Sequence, residues 1–308
     1  MGGLASVILT HGEHQAYQSL LADLLAQGVA PEAICVVHNP VRSTDRRVRA
    51  PRGAHVIRMA TNEGYARGMN AGITYHINRG AEWIWLLTHD VRLWPGVVRS
   101  MMAAAAEDSD YGALGPLLLQ TGTQTFFSLS GERSRWGRPY NAGYGRVLSE
   151  YDRNVGATRR CAWLDGSSIM LRSRAIRDVG LYNASLFGYT EDAELCLRLE
   201  RAGWSSGVVE AAVAEQTSGQ SSRPGPATFL LTRNDLYYIR EVAGSAAILP
   251  ALAKHLLAST RYMRCAVLGP GRRLAIIQCC AMWIGVAAFF GRRMGPPPRW
   301  LPGKGDLS

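Results

Sequence analysis

The chain has 308 residues, 47% hydrophobic and 19% charged, with a net charge of +10 at pH 7. These values exclude a disordered chain and leave room for one large core plus an appendage. Its six cysteines, at positions 35, 161, 196, 265, 279 and 280, lack CxxC spacing, which excludes a zinc ribbon or disulfide framework and favours a reducing, cytoplasmic setting.

In chain order, Leu4 to Thr10 is apolar and β-branched; it is too short for a secretory signal and reads as a first strand. Gln15 to Gln27 places Leu20, Leu21, Leu24 and Leu25 at helical spacing. Ala33 to His38 is a second strand, Asn39 to Arg47 a loop, and His55 to Met59 a third strand. Gly68 to Arg79 reads as helix, Glu82 to Leu87 as a fourth strand, Pro95 to Ala106 as helix and Tyr111 to Leu118 as strand. Strands alternating with helices predict an α/β fold with a mostly parallel central sheet flanked by helices. Residues 120–160 lose this rhythm and gather Gly, Ser, Arg and aromatic residues. A long connection of this kind is often functional, and aromatic faces suit sugar rings, so acceptor contacts are expected there.

Further on, Ser168 to Leu171 is a short strand, Ser206 to Ala214 another, and residues 218–226 a flexible break. Residues 227–242 read as helix, and a last pair of helices is expected from Pro250 through Leu257 and over Leu274 to Phe290. The second of these is 17 residues without a charge, bracketed by Arg272-Arg273 and Arg292-Arg293. A spanning helix needs about 20 apolar residues. A buried or membrane-lying helix is the first reading, a span the alternative. Charge is unevenly placed: residues 217–308 hold twelve Lys or Arg against three acids, so the first 216 residues carry only +1. Such a region suits an anionic membrane surface, an acidic acceptor or an oligomer contact. A nucleic acid would also suit such charge, but no aromatic-basic nucleic-acid motif stands out, so no nucleic-acid partner is expected.

Four segments carry candidate chemistry. In residues 62–72 (NEGYARGMNAG), glycines can let main chain approach a ligand, Asn70 offers donors and an acceptor, and Arg67 offers a diphosphate-binding fork. The plainer alternative is a glycine-tolerant loop and helix start. Residues 83–91 form an apolar strand ending in Thr88-His89-Asp90, and ligands of open α/β sheets gather at such carboxyl ends. Asp90 is then a metal or phosphate-site ligand, or a turn residue. Asp165-Gly166 precedes the strand at Ser168, either contacting sugar hydroxyls or forming the turn. In residues 187–204, Glu191 and Asp192 open an amphipathic helix, where acids also serve as simple caps.

In this order and spacing the four segments resemble the family 2 glycosyltransferases of the GT-A fold, and within them the bacterial rhamnosyltransferase-like branch, over residues 4–240. The resemblance implies a GT-A (Rossmann-like) sheet with a helical C-terminal extension, divided as residues 1–222 and a basic region 223–308. It implies inverting transfer of a rhamnose-like deoxysugar or hexose from a nucleoside diphosphate donor to the hydroxyl of a glycan, glycolipid or small-molecule acceptor. Asp192 takes the place of the general base and Glu191 tunes it; the reverse assignment stays open. The nucleotide-sugar site falls on Thr10, His38, Asn39, Asn62, Gly64, Arg67, Gly68, Asn70, His89, Asp90, Asp165 and Gly166.

The chain departs from the family at several points. Thr88-His89-Asp90 replaces an Asp-x-Asp triplet and keeps only its last acid. Glu215 stands near the place of a histidine that often completes a Mg²⁺ or Mn²⁺ site, so the metal rests on Asp90 and Glu215, or else basic groups such as Arg67 carry the phosphate charge. Thr10-His11-Gly12 replaces Thr-x-Asn, and His38-Asn39 replaces an acid before Asn, while Ser43-Thr44-Asp45 follows as the family expects. A neutral His38 can still accept from a pyrimidine N–H. Two rival readings are a nucleotide-sugar-binding protein with decayed catalysis and a membrane adaptor led by the basic tail. The expected location is cytoplasmic, peripheral at the inner face of the membrane, with a homo-oligomer as a further partner reading.

Overall fold

A computed structural model describes residues 3–11, 16–41, 48–107, 109–217, 224–268 and 271–302. Gly12 and the Ser43-Thr44-Asp45 segment lie outside them, as does most of the expected break at 218–226. The chain divides into two units, the first of residues 1–132, 140–182 and 192–218, the second of residues 133–139, 183–191 and 219–308.

The first unit is built on β1 (Leu4–His11), β2 (Ile34–Asn39), β3 (His55–Arg58), β4 (Trp83–Thr88), β5 (Val91–Leu93) and β6 (Tyr111–Gln120). There follow β7 (Phe126–Ser128), β8 (Ser130–Arg133), β9 (Pro139–Ala142), β10 (Thr158–Cys161), β11 (Ser168–Arg172) and β12 (Ser205–Gln216). Ten of these strands form one sheet in the order β10-β12-β6-β11-β4-β1-β2-β3, with β5 on β12 and β7 on β6. The half β4-β1-β2-β3 is parallel, as expected. The other half is mixed, because β11 runs antiparallel between β4 and β6. The reason is local: β11 leaves a turn at the carboxyl edge of β4, so it can only run back. Within residues 120–160, expected to be irregular, the chain forms β7 to β10, with β8 and β9 paired as a separate ribbon. β5 was not expected; three residues are too few to show a period.

The helices are α1 (Tyr17–Ala26), α2 (Gly64–Asn78), α3 (Val97–Glu107), α4 (Ser173–Val179) and α5 (Glu191–Arg201). Those of the second unit are α6 (Pro224–Ala243), α7 (Ile248–Leu268) and α8 (Arg272–Phe290). In β4 both alternating sets, Trp83, Trp85 and Leu87 against Ile84 and Leu86, are buried, so both faces of the sheet are covered. Trp83, Trp85 and Leu87 share one core with Ile8, Leu20, Leu24, Met101 and Met170. α2 begins one turn before the expected Gly68, and its glycines allow close packing on the sheet. A Cβ on Gly68 would stand 2.6 Å from Leu9 Cδ1, and one on Gly72 would stand 2.4 Å from Val7 Cγ1. These contacts let α2 lie directly on β1.

In the second unit, α6 packs through Phe229 and Leu230 on Ala281 and Ala288 of α8, and through Leu236 and Ile239 on Val286 and Phe289. α7 starts two residues before Pro250, which still falls in the first turn, where its missing N–H costs nothing. The segment ahead of α5 is strained: Phe187, Tyr189 and Thr190 all have left-handed φ, at 68°, 67° and 70°. Such residues cost about 1–3 kcal/mol each and persist only when their surroundings over-determine them. Asn234 does this. Its side-chain amide donates to the carbonyls of Leu186 at 3.0 Å, Gly188 at 2.9 Å and Tyr189 at 2.8 Å. Arg233 also donates to Leu186 O at 3.0 Å, and the Thr190 hydroxyl donates to Asp235 at 3.1 Å. Replacing Asn234 with alanine takes this donor from the Gly188 and Tyr189 carbonyls, while Leu186 O keeps Arg233. Asn234→Ala is expected to lower unfolding free energy by about 2–4 kcal/mol, read from urea denaturation. A loss under about 0.5 kcal/mol would show that the loop holds its shape without the clamp.

Candidate active site

The carboxyl ends of β1, β2 and β4 share one edge of the sheet, and the turn before β11 lies on the same edge. Thr88 N–H donates to Ser167 O at 2.9 Å, and His89 N–H donates to Leu9 O at 3.1 Å. Neighbouring strands thus bring Thr10, Asp90 and Asp165 to one place, a strand-end crevice of the kind that takes ligands in α/β sheets. The hydroxyls of Thr10 and Thr88 are buried there with no hydrogen-bond partner among the described residues. His38 and His89 are also buried at these strand ends.

Asp192 joins this edge from the first turn of α5. Its carboxylate accepts from Gly166 N–H at 2.9 Å and from Ala193 N–H at 2.8 Å. Gly166 is held in turn by the Tyr65 hydroxyl, which donates to its carbonyl. A Cβ on Gly166 would stand 2.8 Å from the Tyr65 oxygen and 3.4 Å from Asp192 Cβ, so a side chain there would displace the Tyr65 ring. Asp165 caps its own turn by accepting from Ser167 N–H at 2.9 Å.

Electrostatics at this edge are dominated by crowded carboxylates. Burial and then the charge of Asp165 push the Asp192 carboxyl up to about 7, against the opposing pull of the Gly166 and Ala193 N–H groups. Asp165 is raised chiefly by burial and further by Asp90, while hydrogen bonds from Ser167 and Asn141 hold it down. Glu191 is buried and belongs with the second unit, where burial and then its charge raise the Tyr189 phenol.

Other expected site residues have structural work. Asn39 donates to Asn62 Oδ1 at 3.0 Å and to Gly64 O at 3.2 Å, and accepts from Glu63 N–H at 2.9 Å. Asn62 also accepts from Gly64 N–H at 3.0 Å, so this asparagine pair shapes the turn into α2, where Gly64 takes a φ of 79°. Asn70 bonds the backbone of Tyr182, donating at 2.9 Å and accepting at 3.0 Å. Arg67 is exposed and lies 3.3 Å from Glu63. The two oxygens of Glu215 accept from the Trp94 indole at 3.0 Å and from Gly122 N–H at 3.4 Å. Its neighbour Gln216 points to the other face of β12 and meets the Ser167 hydroxyl at 2.9 Å. Tyr65, Asn141, Ser167 and Gln216 were missed by sequence reasoning. Only the position of Gln216, one residue past Glu215, gave a signal.

The donor set suits a hard divalent cation. Asp90 and Asp165 are carboxylates that press on each other, and the unpartnered Thr88 hydroxyl lies on the same strand end. Among the described residues no three His, Cys, Asp or Glu side chains converge into a complete cage. Mg²⁺ and Mn²⁺ sites that share phosphate ligands need only one or two carboxylates.

A mixed sheet with both faces covered and acids at the carboxyl edge of its strands defines an α/β fold of the kind that takes ligands at that edge. Residues 83–291, more than half the chain, match the family described as Glycosyl transferase family group 2, and the chain belongs to that family. It is 28% identical over 175 residues to N-acetylglucosaminyl-diphospho-decaprenol L-rhamnosyltransferase of Mycobacterium tuberculosis, covering 51% of this chain. The aligned part spans about half, 54%, of that relative's length. Among solved structures it is similar to GalNAc-T7 with UDP, GalNAc and Mn²⁺ (TM-score 0.56, 12% identity, 96% of this chain and 59% of that one). It is also similar to S. aureus TarS residues 1-349 (TM-score 0.52, 14% identity, 92% and 81%). A third is the mannosyltransferase PcManGT of Pyrobaculum calidifontis with GDP-Man and Mn²⁺ (TM-score 0.50, 13% identity, 94% and 87%). These likenesses establish the GT-A fold.

A raised carboxyl has a thermodynamic signature. An unfolded aspartate releases its proton near 3.9, whereas Asp192 in the folded chain holds it up to about 7. The folded state binds more protons between those values, so stability falls as pH rises through the window. Relative to wild type, Asp192→Asn should gain stability progressively from about pH 4 to about pH 7 and level off above, by at most about 4 kcal/mol. A urea series at several pH values measures this; a pH-independent difference would assign Asp192 an ordinary pKa.

Proposed function

We propose that this chain is an inverting glycosyltransferase that moves a sugar from a nucleoside diphosphate donor to an acceptor hydroxyl, with Asp192 as general base. The observation that carries the reading is the Asp192 carboxyl, raised to about 7 beside a second acid at the ligand edge of the sheet. A base works best with a pKa near the working pH. The acceptor O–H proton passes to Asp192 while the acceptor oxygen forms a bond to the anomeric carbon. The bond from that carbon to the diphosphate breaks, and the leaving oxygen keeps the electron pair. Attack opposite the leaving group inverts the centre.

The buried strand-end residues Thr10, His38 and His89 receive the nucleoside diphosphate, with Asp165 and the Gly166 turn against the donor sugar. Asp90, supported by Asp165, would hold Mg²⁺ or Mn²⁺. A bound cation supplies charge neutralisation for the leaving diphosphate. Glu191 tunes the site as the neighbour of the base. The likeness to the Mycobacterium tuberculosis L-rhamnosyltransferase supports a rhamnose-like donor and an acceptor sugar carried on a lipid diphosphate. Residues 120–160, where Tyr140 and Tyr144 expose their rings, are the assigned acceptor contacts. Residues 1–222 then act as the transferase domain and 223–308 as a basic helical region, on the cytoplasmic side.

The test is a thermal-shift panel of dTDP-, UDP- and GDP-sugars with and without Mg²⁺ or Mn²⁺, followed by turnover of the donor that binds. Ligand at about 100 times its dissociation constant adds roughly 2.7 kcal/mol, a shift of a few degrees. Asp192→Asn should keep that shift and lose at least about 100-fold in kcat. Asp90→Asn should lose the metal-dependent part of the shift. Wild-type kcat should rise with pH and level off above about 7, following deprotonation of the base. Absence of any shift across the panel would sink the transferase reading, and full turnover in Asp192→Asn would remove the base assignment.

A further inference from the structure

The second unit carries an apolar surface that its own core does not use. On α7, Leu249, Leu256 and Met263 recur every seven residues and stand 72%, 60% and 56% exposed, with Leu257 beside them at 71%. On α8, Ile276, Trp283 and Phe290 also recur every seven residues, and they are 45%, 38% and 60% exposed. A seven-residue spacing keeps side chains on one face of a helix. The two helices are joined by the Trp283 indole, which donates to Ser259 Oγ at 2.8 Å. The other side of α8 is already occupied: Ala281 and Ala288 pack on α6, and a Cβ on Gly285 would stand 2.8 Å from Phe229 O. α8 is therefore apolar around most of its length, with α6 and α7 covering part of it and the stripe of Ile276, Trp283 and Phe290 left partly open. A helix of that kind is normally covered on every side.

The surrounding charge says what covers it. Residues 242–305 contain nine Lys or Arg and no Asp or Glu. Arg261, Arg264, Arg272, Arg273, Arg292 and Arg293 are all exposed. A second copy laid symmetrically on this face would set arginines against arginines. α8 is also long and apolar enough to cross a membrane by length and composition. Crossing would strip it from Phe229 and Leu230 of α6, and its 19 residues extend only about 28 Å. We propose that the α7–α8 face lies on an anionic lipid leaflet, with its leucines, Met263, Trp283 and Phe290 in the acyl boundary and its arginines among lipid phosphates. The proposal stands on this face alone and does not rest on the transferase reading.

The full chain is tested by co-sedimentation with vesicles of phosphatidylglycerol and phosphatidylcholine, and with vesicles of phosphatidylcholine alone. Wild type should bind the anionic vesicles about tenfold or more better than the neutral ones, and should be released by high salt. The double variant Leu256→Glu/Leu257→Glu should lose at least about tenfold in bound fraction. Both positions are exposed, so its thermal midpoint should match wild type. Three outcomes would overturn the proposal. They are wild type left in the supernatant, the variant sedimenting as well as wild type, and a dimer seen by light scattering that the variant dissolves while vesicle binding is absent.

Discussion

The Gly166 peptide is the constraint on which the candidate site depends. Its N–H fixes the Asp192 carboxylate, its carbonyl is fixed by Tyr65, and there is no space for a side chain between them. This one peptide therefore ties α5 to α2 through the turn before β11. Asp165 precedes it directly, so holding the peptide also holds two acids as neighbours. Burial then raises both, the charge of Asp165 raises Asp192 further and that of Asp90 raises Asp165 further, while hydrogen bonds set a limit on the rise. The acid–base character of the edge is a consequence of backbone placement rather than of any single acidic side chain.

Much of this was legible in the sequence. An apolar strand that stops abruptly at Thr88-His89-Asp90 marks a carboxyl edge, and an acid pair opening an amphipathic helix marks α5. Other residues were visible as patterns whose meaning was not. Gly68 and Gly72 read the same whether a ligand or a strand approaches them, and only the positions of Leu9 and Val7 decide for packing. Asn39, Asn62 and Asn70 could equally have bound a ligand or the backbone; in the fold they bind the backbone. The choice between Glu215 and Gln216 was hidden for a different reason. β12 shifts register against β6 between Val209 and Val213, so alternation cannot be followed from the strand's apolar start to its polar end.

The segment ahead of α5 was illegible altogether. Left-handed backbone is normally announced by glycine, yet Phe187, Tyr189 and Thr190 adopt it with full side chains. The cause lies far along the chain, in an asparagine within α6 whose amide is shared among three carbonyls. Local propensity cannot report a conformation imposed by a distant side chain. The nearest hint was polar Arg233-Asn234-Asp235 inside a helix with apolar neighbours, since buried polar groups must find partners.

Two costly features therefore meet at one peptide bond, the strained loop up to Glu191 and the crowded carboxylates from Asp192 onward. Neither strengthens the fold. An acid held in place by a buried ion pair would be pushed below its ordinary range, whereas Asp192 is pushed above it, and its charged neighbour is another acid. A chain shaped for stability alone would carry glycine in the loop and an amide at Asp192. The large two-sided core of the first unit, with Trp83 and Trp85 fully enclosed, supplies the stability that lets such a site persist. Crowded carboxylates at the strand edge of the first unit, raised by burial and by one another's charge rather than paired with a cation, are a feature that stability alone does not explain.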